Sequence, residues 1–408
     1  MPSSAEARRH TRWAFVAGLG LLAGTAALPY NHFGTPGAGG DVVLYDRYGT
    51  QFLDGSIPYH GFFLEYPPLA LAAFVAPKLT GLNYAISFRA LMWLLMAVSL
   101  GAALATLARL RLQPLRIWSA AALIGCSPAL VGPILFERFD AWPTALLSVA
   151  LFLLTAGRWT PGAVFLALSV ATKLYPLVVV PIVAGRALVA VGSRSTTRAA
   201  AAGVGAAGIA VLPFAAIGPG GLAYSYYVQF KRPLQLESTG ASLLLALDRF
   251  GLYEATVQSG LGKELAGTTA GVVAIVSSAL QLAAVIAAIW WFWRGPRDAA
   301  SMLTASAAVV ASFVAFGKVL SPQYVIWLIP LAPLVARRVW VPAMTLTATA
   351  AGLTNVYFPW HYRGIREVTS WVWVLAARNL VLVGLALVLL DRLRRDAGAT
   401  QVIEANTR

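Results

Sequence analysis

Cysteine is nearly missing from this sequence. Cys126 is the only one in 408 residues, and it lies inside an apolar run. That excludes an internal disulfide and a thiolate metal site, and Cys126 reads as a small packed hydrophobe. Charge is scarce too, at 12% of residues, against roughly a quarter in soluble domains. With 59% hydrophobic residues, the chain holds more apolar sequence than a globular core absorbs. Lipid absorbs it, and long apolar runs recur from Trp13 onward. The sequence also lacks a Walker loop, a dinucleotide fingerprint, a His-x-x-x-His pair and a convincing acidic triad. No metal and no cofactor are expected, and a nucleotide-sugar donor is not.

What is there is basic. The net charge is +15, but the basic residues do not cluster as on a nucleic-acid-binding surface. They fall in short gaps between apolar runs, the positive-inside pattern of a membrane protein. No nucleic-acid partner is expected. The N-terminal Arg8, Arg9 and Arg12 before Trp13 resemble a signal sequence without a clear cleavage site, and read as a retained first helix.

The apolar runs predict an all-α integral membrane protein of about twelve spans, one polytopic domain over 1–408. The spans are Trp13–Pro29, Ala85–Leu107, Ile117–Phe136, Ala141–Ala156, Trp159–Thr172, Leu174–Val191, Ala199–Ile217, Thr269–Trp293, Ala299–Phe316, Val319–Ala336, Val339–Phe358 and Trp371–Leu390. Pro67–Ala76 is apolar but too short to cross, and reads as re-entrant or interfacial. Were it to cross, every arginine cluster from Arg109 onward would face out, against the charge rule. With both termini cytoplasmic, the inner gaps are strongly basic. The outer gaps hold acids and bases in equal number. Outer charge is not needed for orientation, so it requires another use. Two outer loops are long, Tyr30–Tyr84 and Gly218–Gly267. The first is expected to contain an interfacial helix, Asp41–Leu53, with Val42, Tyr45, Phe52 and Leu53 toward the membrane, ended by Gly55 and Pro58.

That loop concentrates carboxylates: Asp41, Asp46, Asp54 and Glu65. A carboxylate at an interface can take the proton of a sugar hydroxyl as its oxygen attacks an electrophile. Tyr45 and Tyr48 can stack on sugar or anchor the helix among headgroups. The plain alternative is an amphipathic helix whose polar face meets water. Glu137-Arg138-Phe139-Asp140 is a compact charged turn that either binds acceptor sugar or pins a helical hairpin. Arg89 and Arg378 fall within apolar runs, where an arginine is costly; Arg378, the deeper, is expected to face a cavity or an acidic partner.

The pattern Asp41-x-x-x-Tyr45, Gly55-x-x-Pro58-Tyr59 and Glu65-Tyr66-Pro67-Pro68-Leu69 resembles the first outer loop of glycosyltransferase family 87. These are polyprenol-phosphomannose-dependent α-1,2-mannosyltransferases with the GT-C membrane fold. Lys173-Leu-Tyr-Pro176, Lys231-Arg-Pro-Leu-Gln-Leu-Glu-Ser238 and Ser321-Pro-Gln-Tyr324 resemble further family segments, so the likeness runs from about Asp41 to about Tyr324. It implies a plasma-membrane mannosyltransferase with its site on the outer face. It would take a polyprenyl-phosphate sugar as donor and a lipid or glycan as acceptor, within the membrane lipid. Asp41 maps onto the family's catalytic aspartate. Tyr45, Asp46, Glu65, Tyr66 and His361 are candidates for acceptor or sugar contacts. Lys173, Lys231, Arg232, Lys318, Arg363 and Arg366 are candidates for the donor phosphate, where cations stabilise the leaving group. The rival reading is a transporter or flippase for a lipid-linked glycan. Transporters often carry inverted repeats and helices broken at mid-depth; neither is clear here.

Overall fold

The computed structural model describes residues 4–28 and 40–406. The Gly/Pro-rich opening of the first loop, 30–39, and Pro29 lie outside the described residues. The fold is 77% helical. Among the described residues, five helices are long and apolar enough to cross a membrane: Tyr84–Arg109, Tyr175–Ile217, Thr268–Arg294, Ala299–Phe316 and Val372–Gln401. Shorter apolar helices stand beside them, including Ala141–Thr155 and Trp159–Thr172. The chain forms two compact units. One runs to Leu177 and includes Ala190–Lys231; the other is Val178–Val189 with the chain from Arg232 onward.

The first unit holds α1 (Ser4–Ala26), α2 (Asp41–Leu53), α3 (Ala70–Val75), α4 (Tyr84–Arg109), α5 (Pro114–Gly125), α6 (Ser127–Val131), α7 (Ile134–Glu137), α8 (Ala141–Thr155) and α9 (Trp159–Thr172). α1 packs along α5 through small residues: a Cβ at Gly125 would lie 2.8 Å from the Gly18 carbonyl oxygen. Such residues let backbones approach where lipid provides no hydrophobic drive. α4 is capped by Asn83, which accepts from Ile86 N at 3.3 Å, and packs on α8, which packs on α9. The expected span Ile117–Phe136 is not one helix. Pro128 and Pro133 each lack an amide donor, and Gly132 turns the chain at φ 76°. The result is three short helices, α5, α6 and α7.

α2 has the bounds the sequence suggested, opening after Gly40 at φ 101°. It lies against α3, and Gly49 makes the contact: a Cβ there would sit 2.5 Å from the Phe74 carbonyl oxygen. The short apolar segment at 67–76 becomes α3 followed by a 3₁₀ turn, Ala76–Thr80.

α10 (Val180–Ile217) joins two expected spans, with Gly192 at φ 74° breaking the helix between them. α11 (Pro219–Lys231) follows in the first unit. The second unit continues with α12 (Thr239–Arg249), α13 (Thr268–Arg294), α14 (Ala299–Phe316), α15 (Val325–Leu328), α16 (Trp340–Tyr357), α17 (Tyr362–Arg366) and α18 (Val372–Asn406). α14 is its core helix, 78% buried over its apolar window, whereas that of α13 is 11% buried and offers Ile275 and Leu282 outward. Only lipid covers such a face without cost.

One further expected span is corrected here. Val319–Ala336 is not a regular span: Pro322, Pro330 and Pro333 divide it into 3₁₀ turns and the four-residue α15, buried except at Gln323 and Tyr324, which are half-buried. The second long loop also carries short strands. β1 (Leu234–Gln235), β2 (Val257–Ser259) and β3 (Lys263–Leu265) form a small antiparallel sheet in the order β1-β3-β2.

Candidate functional site

Four ion pairs of the first unit gather at one end of its helices. α2, the start of α4, the turn before α8 and the end of α9 converge there. Four carboxylates there each have a cation. Asp41 Oδ2 lies 3.1 Å from Arg138 Nε, although the N–H does not point squarely at it. Glu137 Oε1 accepts from Arg89 Nη2 at 3.1 Å, and Asp140 Oδ1 from Lys173 Nζ at 2.7 Å. Asp46 pairs with Lys78. The charged turn 137–140 thus does not pair with itself. Its three charged residues reach α4, α2 and the end of α9, tying those elements together.

Asp41 occupies the first helical position of α2. Gly40, not Asp41, is the cap residue, and no side chain caps the helix. The Asp41 side chain is 33% exposed, so a hydroxyl can reach it. Tyr45, one turn on, directs its hydroxyl to Asp41 Oδ2 at 3.4 Å. Burial, then Tyr66 and Asp41, push the Tyr45 phenol far above its ordinary range; burial, Glu65 and Asp41 do the same to Tyr66. Both are neutral hydrogen-bonding groups beside the carboxylate. Burial works against the Arg138 charge, but Asp41, Tyr45, Tyr66 and Glu137 outweigh it and hold the guanidinium protonated. Burial raises Glu137, against Arg89 and Arg138.

The ring of Tyr45 does not face the membrane or offer itself to a sugar. It is 1% exposed, stacked on Phe74 at 4.5 Å between centroids and flanked by Phe88, Phe139 and Tyr66. Tyr48 is equally buried. A ring inside an aromatic cluster contributes packing. Val42 and Phe52 are partly exposed and Leu53 is exposed, as an interfacial helix requires. Glu65 is half-buried, its carbonyl accepting from Gln229 Nε2 at 3.2 Å. The carbonyl of Tyr66 accepts from Tyr59 at 2.5 Å.

The cations proposed for a phosphate are dispersed. Lys173 is taken by Asp140 and lies over the Phe139 ring. Lys231 is exposed near Tyr227. In the second unit, Arg363 is 86% exposed and paired with Glu367, and Arg366 is exposed. Lys318 is half-buried, with its carbonyl accepting from Gln235 N. His361 stacks on Trp371 at 3.6 Å and sets Nδ1 2.7 Å from the Val356 carbonyl oxygen. Among the described residues, no three His, Cys, Asp or Glu side chains gather as a metal would need.

A second polar cluster is foreshadowed in the sequence only by Arg378, expected to face a cavity or an acidic partner. Glu237 is 3% exposed and accepts from the Tyr362 hydroxyl at 2.8 Å. Arg378, fully buried on α18, donates to the Tyr357 hydroxyl at 2.6 Å and to the Glu237 carbonyl at 3.3 Å. Asn379 donates to the carbonyls of Glu237 and Ser238. Burial raises the Glu237 carboxyl, against Tyr362, Arg378 and Arg232. The intramembrane arginine was the available signal; its partner required the fold.

The fold and these clusters define a multi-pass helical membrane protein with buried charge at helix ends. The model of glycosyltransferase family 87 matches residues 63–322, more than half of the chain. The chain belongs to glycosyltransferase family 87, and is a membrane glycosyltransferase. The match begins at Phe63, so it takes in Glu65-Tyr66 and the 137–140 turn but not Asp41, Tyr45 or Tyr59. No curated protein matches the chain.

Proposed function

We propose that the protein transfers a sugar, mannose on the family likeness, from a polyprenyl phosphate to a hydroxyl of a lipid or glycan acceptor. The reaction takes place at the outer face of the plasma membrane, with Asp41 as general base. The observation that carries this is the Asp41 carboxylate. It is one third exposed, fixed on its inner side by Arg138 and Tyr45, and not used to cap its own helix.

The acceptor hydroxyl oxygen attacks the anomeric carbon as the bond from that carbon to the phosphate oxygen breaks. The hydroxyl proton passes to Asp41, and the lipid phosphate leaves with the bonding electrons. A single displacement inverts the anomeric centre, so a β-linked donor gives an α-linked product. Tyr66 and Tyr45, neutral and close by, orient the carboxylate rather than compete for its proton. Lys231, exposed in the same unit as Asp41, serves the phosphate more readily than Lys173, which would have to abandon a buried aspartate.

The test is Asp41→Asn. Loss of a general base typically costs about 10²–10⁴ in rate. The variant is expected to insert, fold and still bind a polyprenyl-phosphate sugar, with turnover reduced by that factor. Turnover near wild type would remove Asp41 from the reaction.

A further inference from the structure

Apart from Lys231 at its end, α11 takes no part in the chemistry proposed for Asp41, yet its two faces are sharply different. Gly218, Gly221, Leu222, Ser225 and Gln229 lie on one side, at the 3–4 residue spacing of a helical face. That side grips the chain at 59–65. A Cβ at Gly218 would come 2.8 Å from the Tyr59 carbonyl carbon, and one at Gly221 would run into the Tyr59 carbonyl. Glycine at these two positions is what permits the contact. Ser225 Oγ donates to the Leu64 carbonyl at 2.8 Å, and Gln229 Nε2 to that of Glu65. Tyr59, held at φ 66°, passes the tie on through its hydroxyl to the Tyr66 carbonyl.

The opposite side is aromatic and open. Tyr224 is 56% and Tyr227 55% exposed, their rings near-parallel at 6.4 Å. Phe63, also exposed, meets Tyr224 edge-on at 5.8 Å. Lys231 stands over Tyr227.

We propose that α11 is an interfacial helix that docks on the lipid bilayer through Phe63, Tyr224 and Tyr227, while its other face holds residues 59–66 at the membrane surface. Chain continuity selects lipid as the occupant. α10 ends at Ile217 with Ile209, Leu212 and Ile217 exposed, a surface that only acyl chains satisfy, and α11 begins two residues later. Its 13 residues are too few to cross, since a span needs about 20. Tyrosine rings with a lysine at the far end are the composition that settles at headgroup level. The lipid, by this geometry, fixes the height of Glu65 and Tyr66 through α11.

The test does not depend on the role of Asp41. In a Cys126→Ser background, Tyr224→Cys and Tyr227→Cys are made singly and labelled with an environment-sensitive fluorophore. The full protein is placed in phosphatidylcholine–phosphatidylglycerol vesicles. Nitroxide-labelled lipid is expected to remove most of the fluorescence and aqueous iodide little of it. The reverse pattern overturns the proposal. So does shielding from iodide by an added alkyl mannoside, which would make the face a sugar platform. A second measurement avoids labelling the helix: a fluorophore at Phe63→Cys is followed as Tyr224→Ser and Tyr227→Ser are introduced together. It is expected to move from lipid-quenched to iodide-quenched. No change would show that the tyrosines do not hold the helix to the bilayer.

Discussion

The pair Lys173–Asp140 shows how far burial decides what a charged residue does. By sequence Lys173 stands at the end of an apolar run, a natural place for a phosphate ligand. The structure gives it an aspartate whose side chain is 0% exposed, with 14% left on its own. Removing one partner of such a pair leaves an uncompensated buried charge, at about 3–5 kcal/mol. Lys173→Met is therefore expected to lower thermal stability in detergent strongly, and the double variant with Asp140→Leu to recover most of the loss. If Lys173→Met melts like wild type and only donor use falls, the lysine belongs to the phosphate after all. Arg363–Glu367 is the opposite case. It is a solvated pair one turn apart, contributes little to folding, and is free to exchange its carboxylate for another anion. Arg138 was legible only as part of a charged turn. Its partner lies nearly a hundred residues earlier, and spacing does not show that an arginine in one loop closes on an aspartate in another.

At the scale of elements, local signals were read well where they were strong. Gly39-Gly40 before Asp41, and Gly55 and Pro58 after Leu53, bound α2 on both sides. Reading hydropathy alone misled where prolines interrupt an apolar run. Pro128 and Pro133 in one expected span, and Pro322, Pro330 and Pro333 in another, were visible and should have outweighed length. The sheet β1-β3-β2 rests on strands of two and three residues, too short for alternation to register. Beside that sheet, Glu237 links β1, α17 and α18, and its protonation makes the link sensitive to pH. Its folded pKa lies above the ordinary carboxylate value because burial disfavours the charge. The folded state then keeps a proton that the unfolded chain releases. The stability Glu237 contributes is full below the ordinary carboxylate range and is lost as pH rises through the raised value. Glu237→Gln keeps an acceptor for Tyr362 without the titration. Relative to the variant, the wild-type Tm is expected to fall as pH climbs above that range. Parallel melting curves across pH would show that Glu237 is ionised in the folded protein.

Across the whole molecule, each unit taken by itself separates its polar cluster from its arginine-rich end. α4 begins beside the Arg89–Glu137 pair and ends at Arg109, whose guanidinium donates to the Thr155 carbonyl at the end of α8. Arg89 and Arg109 are twenty residues apart on this helix, about 30 Å at 1.5 Å per residue, enough to span a bilayer's hydrocarbon core. Arg109, Arg111 and Arg158 thus lie a membrane's thickness from Asp41. α18 repeats the arrangement, with Arg378 near its start and Arg392, Arg394 and Arg395 just past Leu390, where the apolar stretch ends. Arginines in short gaps stay cytoplasmic because translocating them is unfavourable. On that rule the Asp41 end of the first unit and the Glu237 end of the second are each expected outside, from the charges of their own unit. Single cysteines at Asp54 and Leu252, in the Cys126→Ser background, are therefore expected to react with an impermeant maleimide in intact cells. One at Arg158 should react only after the membrane is opened. Labelling of Arg158→Cys in intact cells would invert the topology. The acceptor chemistry would then face the cytoplasm, where a lipid-linked donor has no advantage over a soluble one.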